Sequence, residues 1–478
     1  MKNFKKLLLT SVSALLVATN VAAFTACEKP GNKIPDSVDV VAYDGSAVTV
    51  TFYHSMGADL RKILDTYIAD FNAVYPNITI KHDSFGDYDG TRDQIKTELN
   101  NGNSPTIAYC YPDHVALYNN AKAVMTLDGY IDSTLAATQS DWSPEGTLGF
   151  TATQKADFIQ AYYNEGKSFG DGLMYTLPYQ KSTEVLYYNK TLFEQKGYEV
   201  PTTWEAMEDL CEQIKKDFPK DIPLGYDSEA NLFINLAEQY KSPYTTATKG
   251  EHFKFNNEVN RGFAQMLRDW YNKGYLLTKQ TYSGKYMSDL FKATGANDQK
   301  AYMCIGSTGG ATYQGPAKNN DETYPFEVGV APIPQVDPAN AKVISQGPSL
   351  CMFKKSAQEC AAGWLFLKFL TTYVPLQAES SMNNGYTPVI NSVFENETFK
   401  TDFLDKADGN AYLQATVIKQ MIKPELQSTF FTSPAFNGSS AARDEVGTLI
   451  TNVLLKKDSS IQSLFDEAIE NLAYDYGY

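Results

Sequence analysis

The chain has 478 residues, 43% of them hydrophobic and 20% charged, with a formal net charge of −15. That length allows two or three domains with sizeable cores, and the acidic balance argues against nucleic acid or an anionic membrane face as partner, since both need clustered cations. The six cysteines are far apart with no CxxC, which argues against a metal knuckle or dithiol pair and for buried free thiols.

In chain order, the first element is an export signal. Met1 to Lys6 is a basic head, Leu7 to Ala23 an apolar run, and Phe24-Thr25-Ala26-Cys27 sets small side chains before a cysteine. This pattern marks a cleaved leader (1–26) and not a spanning helix. It resembles a bacterial lipoprotein signal, with Phe24 where leucine is usual. The resemblance implies that Cys27 becomes the lipidated first residue, anchoring the chain to the outer side of the cytoplasmic membrane, at the cell surface or in the periplasm. No later apolar run is long enough to cross a bilayer. Residues 27–47, with Pro30, Gly31 and Pro35, read as a flexible tether.

Folded structure is expected from Val48. Val48 to Tyr53 alternates like a strand, and Leu60, Ile63, Leu64, Tyr67, Ile68 and Phe71 recur at helical spacing. A strand over Asn77 to Lys81, a helix over Tyr88 to Leu99 and a buried strand over Thr106 to Tyr111 follow. Alternating strands and helices predict an α/β sheet with parallel neighbours, whose ligands sit beyond the carboxyl ends of the strands. His54 and Asp113 lie in such turns.

The most specific stretch runs from Tyr175 to Lys190, Tyr-Thr-Leu-Pro-Tyr-Gln-Lys-Ser-Thr-Glu-Val-Leu-Tyr-Tyr-Asn-Lys. Pro201-Thr202-Thr203-Trp204-Glu205 then opens a helix, with Thr202 and Glu205 spaced for a capping box. This order resembles the extracellular solute-binding proteins of ABC importers, in the branch for sugars and glycerol phosphates. Phe52-Tyr53-His54-Ser55-Met56, Gly102 to Thr106, Ser307-Thr308-Gly309-Gly310, Gly347-Pro348-Ser349-Leu350 and Asn384 to Val389 match its other landmarks. The similarity spans roughly residues 48 to 475.

The resemblance implies a two-lobed α/β fold of the periplasmic-binding-protein type, with a hinge of crossing strands and a ligand cleft between the lobes. Crossings are expected near Lys181 to Glu184, Ala331 to Pro334 and Leu370 to Tyr373. Lobe one would take 48–182 and 332–371, and lobe two 183–331 and 372–478. It implies a monomeric receptor without cofactor or metal, handing a sugar or oligosaccharide to an ABC permease and its ATPase.

Aromatic residues make up 13% of the chain, and most belong to the core. Those in turns ask for a partner: Tyr88 beside Gly86 and Gly90, Tyr386 after Gly385, and Phe436 before Asn437-Gly438. The resemblance also implies ligand contacts at Lys181 and Ser182, and it sets a further candidate, Asp227, in a turn where relatives often present aromatic residues and this chain has no tryptophan. His54 reads equally as a ligand donor or a structural partner, and Asp113 as a hydroxyl acceptor or a helix cap. Ser307 and Thr308 offer hydroxyls at a turn, and Gly347 allows close backbone approach. Glycerol-phosphate binders carry an arginine in the loop aligned with Ser433 to Asn437. This chain has Ala435 there, and its nearest arginine is Arg443, so a neutral sugar is expected over the alternative, a glycerol-3-phosphate or glycerophosphodiester. Catalysis finds no supporting motif: no HExxH, no Gly-x-Ser-x-Gly, and Ala161 where a phosphate loop needs its first glycine. A surface adhesin or glycoside-active enzyme is the remaining rival.

Overall fold

The computed structural model describes residues 34–248, 250–405 and 413–476, so the leader and Cys27 lie outside the described residues. Two sheets organise the chain. In the first, β1 (Val48–His54) pairs in parallel with β2 (Ile78–Ser84) and β3 (Ile107–Cys110). Its alternation buries Val50, Phe52 and His54. The helix Ala58–Val74 covers this sheet through Ile63, Leu64 and Phe71, and Tyr88–Asn100 starts where Asp87 accepts from the backbone of Gly90. The strand β4 (Thr176–Pro178) joins the far side of this sheet.

Three residues later the chain is in the second sheet. Its central strand β5 (Ser182–Asn189) is followed by β6 (Ile222–Tyr226), β7 (Leu276–Thr278), β8 (Ala301–Ser307), β9 (Val328–Pro332) and β10 (Val343–Gln346). One edge of β5 takes β8; the other takes β9 and then β10, all antiparallel. The strand β11 (Ser349–Met352) returns to the first sheet between β3 and β4, and the short β12 (Phe430–Phe431) ends the second beside β10. The five cysteines within the described residues are buried and free, and no helix among those residues is long and apolar enough to cross a membrane.

Four expectations shift. The second crossing, expected at Ala331 to Pro334, falls at Gly347-Pro348, because β9 and β10 both stay paired to β5. The helix Val374–Met382, just past the expected third crossing, still packs on Ala58–Val74; Leu413–Met421 is the next helix to pack on the second sheet. The tether is shorter than composition suggested. From Ile34 the chain lies along lobe one, with Val38, Val40 and Tyr43 on its core and the Lys354 ammonium donating to the Asp36 carbonyl. At the helix Trp204–Asp217 the capping side chain is Thr203, not Thr202, accepting from Ala206 at 3.1 Å.

Gly347 turns the chain between β10 and β11 at φ +92°, and a Cβ there would lie 2.4 Å from the Gln180 carbonyl oxygen. Gly347→Ala is expected to lower stability by about 2–4 kcal/mol through backbone strain and this clash, read as a fall in the guanidinium unfolding midpoint.

Candidate functional site

A cavity of about 720 Å³ opens between the lobes. Its lobe-one wall is aromatic. Tyr88 follows the Asp87 cap, and Tyr111 precedes the helix Pro112–Asn119; their rings stack with centroids 4.5 Å apart. The Tyr88 hydroxyl lies 3.3 Å from that of Tyr386. The ring of Tyr386 presses on Gly309, where a Cβ would come within 2.6 Å of it. On the opposite rim Tyr286 and Tyr313 are largely exposed while lining the cavity.

The polar wall comes mostly from lobe two. Ser228 caps the helix Glu229–Gln239 by accepting from the Asn231 backbone, which sets the Asn231 side chain against the cavity. The Asp227 carboxylate accepts from the Met287 N–H at 2.7 Å and the Gln314 amide at 3.4 Å, and burial pushes its pKa up to about 6. Glu184 is buried and accepts from Tyr226, Asn231 and Asn235. Burial raises its pKa to about 7, against the pull of those donors and of Arg443. Arg443, on the helix Ser439–Leu455, spans the space between Asn231, to which it donates, and the Tyr111 ring, 5.7 Å away. It forms no ion pair among the described residues and lines both this cavity and the smaller hollow beside it. Lys279 and Lys292 add charge at the rim, while Asp87, Asp89, Asp289 and Asp444 make the lining acidic on balance. Arg92 of lobe one reaches Asp444 and Ser440 of lobe two at 3.0 and 2.9 Å, bridging the mouth.

Of the residues singled out in the sequence, Tyr88, Asp227, Ser307 and Tyr386 line this cavity. The others have different surroundings. His54 is buried against His82, their ring nitrogens 2.9 Å apart, and its Nδ1 accepts from the Met56 backbone. Lys181 is 1% exposed and paired to Glu165 at 2.6 Å. Ser182 is in the β5 ladder opposite Gln346, and the Thr308 hydroxyl accepts from the Thr183 N–H. Gly347 is the crossing turn. Phe436 stacks on His252 at 4.2 Å, and Asp113 lines two smaller hollows beyond Arg443. Sequence reasoning missed Tyr111, Glu184, Asn231, Tyr286, Tyr313 and Arg443. A signal existed for Tyr286 and Tyr313, each in a polar stretch near glycine.

The profile of the bacterial extracellular solute-binding protein family matches residues 66–405. The chain is 25% identical over 404 residues to the sn-glycerol-3-phosphate-binding periplasmic protein UgpB of Escherichia coli K12, covering 80% of this chain and 83% of that one. UgpB from Mycobacterium tuberculosis in complex with glycerophosphocholine has a similar fold, with TM-score 0.68 and 16% identity over 90% of this chain and 98% of that chain. So does an ABC substrate-binding protein from Listeria monocytogenes in complex with cycloalternan, with TM-score 0.67 and 18% identity over 90% of this chain and 99% of that chain.

The placement of His54 has a measurable consequence. Burial, with repulsion from His82 and Arg61, lowers its pKa from 6.5 to about 3. The unfolded chain therefore binds a proton between pH 6.5 and 3 that the folded chain refuses, and stability falls as pH falls through that window. His54→Gln is expected to flatten the acid limb by up to about 1.4 kcal/mol per pH unit there, measured by urea unfolding at pH 7, 6 and 5.

Proposed function

The chain belongs to the bacterial extracellular solute-binding proteins, and on that footing we propose that it is the receptor of an ABC importer for a polyol phosphate ester of the glycerol-phosphate class. It is held on the outer side of the cytoplasmic membrane through lipidated Cys27 and acts as a monomer. It closes its lobes over the ligand and delivers it to the permease and its ATPase. The observation that carries the ligand class is Arg443, a guanidinium with open donors on the cleft wall, suited to fork onto a phosphate. This reverses the preference for a neutral sugar drawn from Ala435. The tyrosines give the ligand's carbon skeleton flat faces, and Asp227 and Ser307 are suited to its hydroxyls.

A second reading, a neutral oligosaccharide, is favoured by the roughly 720 Å³ of space and by the exposed rings of Tyr286 and Tyr313. The family is one of substrate-binding proteins, and nothing in this reading calls for a chemical step.

Calorimetry on the soluble chain from Glu28, with sn-glycerol 3-phosphate, glycerophosphocholine and maltotriose, separates the two. Arg443→Ala is expected to weaken phosphate-ester binding about 100-fold, the loss of a pair of charge-assisted hydrogen bonds. Binding of maltotriose alone, unaffected by that substitution, would establish the second reading. The anchor is checked separately: Cys27→Ala is expected to move the protein from the membrane fraction to the soluble one.

A further inference from the structure

We propose that Glu184, acting through Asn231, is the positioning residue that aims the Arg443 guanidinium into the cleft, and that it links this arginine to the strands on which the lobes hinge. The ligand-facing part rests on the reading of Arg443 as the anchor of an anionic group.

The hydrogen bonds run in one sense. Arg443 Nη2 donates to Asn231 Oδ1, and Asn231 Nδ2 donates to Glu184 Oε1 at 2.8 Å. A carboxylate only accepts and a guanidinium only donates. The Asn231 carboxamide therefore has one orientation that satisfies both neighbours, and turning it over would break both bonds. Glu184 Oε2 accepts from Asn235 Nδ2 at 2.8 Å and from the Tyr226 hydroxyl, while Asn235 Oδ1 accepts from the Ile344 N–H at 2.8 Å. Glu184 lies at the start of β5, just after the first crossing, and Ile344 is in β10, just before the second. Glu184, Asn231 and Asn235 are all buried.

Such a network is a costly way to fill a core. Apolar residues of similar size usually stabilise as much as a buried charged cluster does, so its presence beside the cleft calls for a role. Fixing a long, otherwise mobile arginine supplies one, because a side chain already held in its bound geometry loses less entropy when the ligand arrives. Glu184 lines the same cavity as Arg443 but makes no hydrogen bond to it; its effect on the guanidinium is carried by Asn231.

The experiment uses the mature chain with 15N-arginine labelling and the variants Glu184→Ala, Glu184→Gln and Asn231→Leu, with Arg443→Lys to assign the signal. A guanidinium held on one side rotates slowly about Nε–Cζ and shows separate Nη resonances. These are expected to be resolved in the unaltered chain and in Glu184→Gln, whose amide oxygen still accepts from Asn231, and averaged in Glu184→Ala and Asn231→Leu. Calorimetry with sn-glycerol 3-phosphate is expected to show affinity about tenfold weaker in Glu184→Ala and Asn231→Leu, with Glu184→Gln within about threefold of the unaltered chain. Asn231→Leu keeps the Tyr226 and Asn235 bonds to Glu184, so it reports on the link even if Glu184→Ala unfolds. Resolved Nη signals that persist in Asn231→Leu would overturn the proposal. Averaging in Asn231→Leu, in a chain that ignores sn-glycerol 3-phosphate altogether, would uphold the positioning role and reject the ligand reading instead.

Discussion

A lysine ammonium with no access to water has to be neutralised where it stands, and Lys181 imposes that condition on the first crossing. Leaving such a charge unpaired costs several kcal/mol, so the segment Tyr179 to Lys181 is stable only where Glu165 comes to meet it, 2.6 Å away. The other oxygen of Glu165 accepts the hydroxyl of Ser345, on β10 just before the second crossing. The backbone of Lys181 exchanges hydrogen bonds with Thr387, next to Tyr386. One ion pair therefore gathers both crossings and the loop that carries a cleft aromatic.

The lobes meet again at the mouth, on different terms. Arg92 pairs with Asp444 across the opening, but Asp444 is half exposed, and exposed pairs contribute about 1 kcal/mol or less. A receptor that opens and closes needs this contrast. The buried pair fixes where the chain turns, while the exposed one biases closure weakly enough for a ligand to shift the populations. The stacked pair Tyr88 and Tyr111, both on lobe one, gives a preformed surface that does not have to be rebuilt on each closure.

Strand and helix alternation made the α/β class legible, and the order of motifs in the middle of the chain made the two-lobed family legible. Tyr88 and Tyr386 were readable because large rings in glycine turns have no local reason to be there. Lys181 and His54 misled for a physical reason. A polar residue that meets a ligand and one that meets a buried partner look alike in sequence when the partner, Glu165 or His82, is distant or unpaired by any motif. Arg443 was discounted because it falls after the aligned loop. The helix that carries it starts at Ser439, and at about 1.5 Å per residue the four positions from there to Arg443 advance the chain only about 6 Å. The second crossing was misplaced because only the shared pairing of β9 and β10 to β5 shows that neither leaves the second sheet.

Under the proposed reading an acidic protein takes up an anionic solute, which raises an electrostatic question that the cleft itself answers. The formal charge of −15 is spread over a large surface, and at physiological ionic strength its field is screened within about 8 Å. Attraction at a distance therefore does not bring the ligand in, and local contacts have to outweigh local repulsion. Of the carboxyls that line the cleft, the two held inside, Glu184 and Asp227, have pKa values raised by burial to about 7 and about 6. At neutral pH part of that negative charge is absent, while Arg443 keeps its own. Desolvation thus suppresses the carboxylates more than the guanidinium and tilts an acid-lined cleft toward accepting an anion, at the one point where the arginine is held against Asn231.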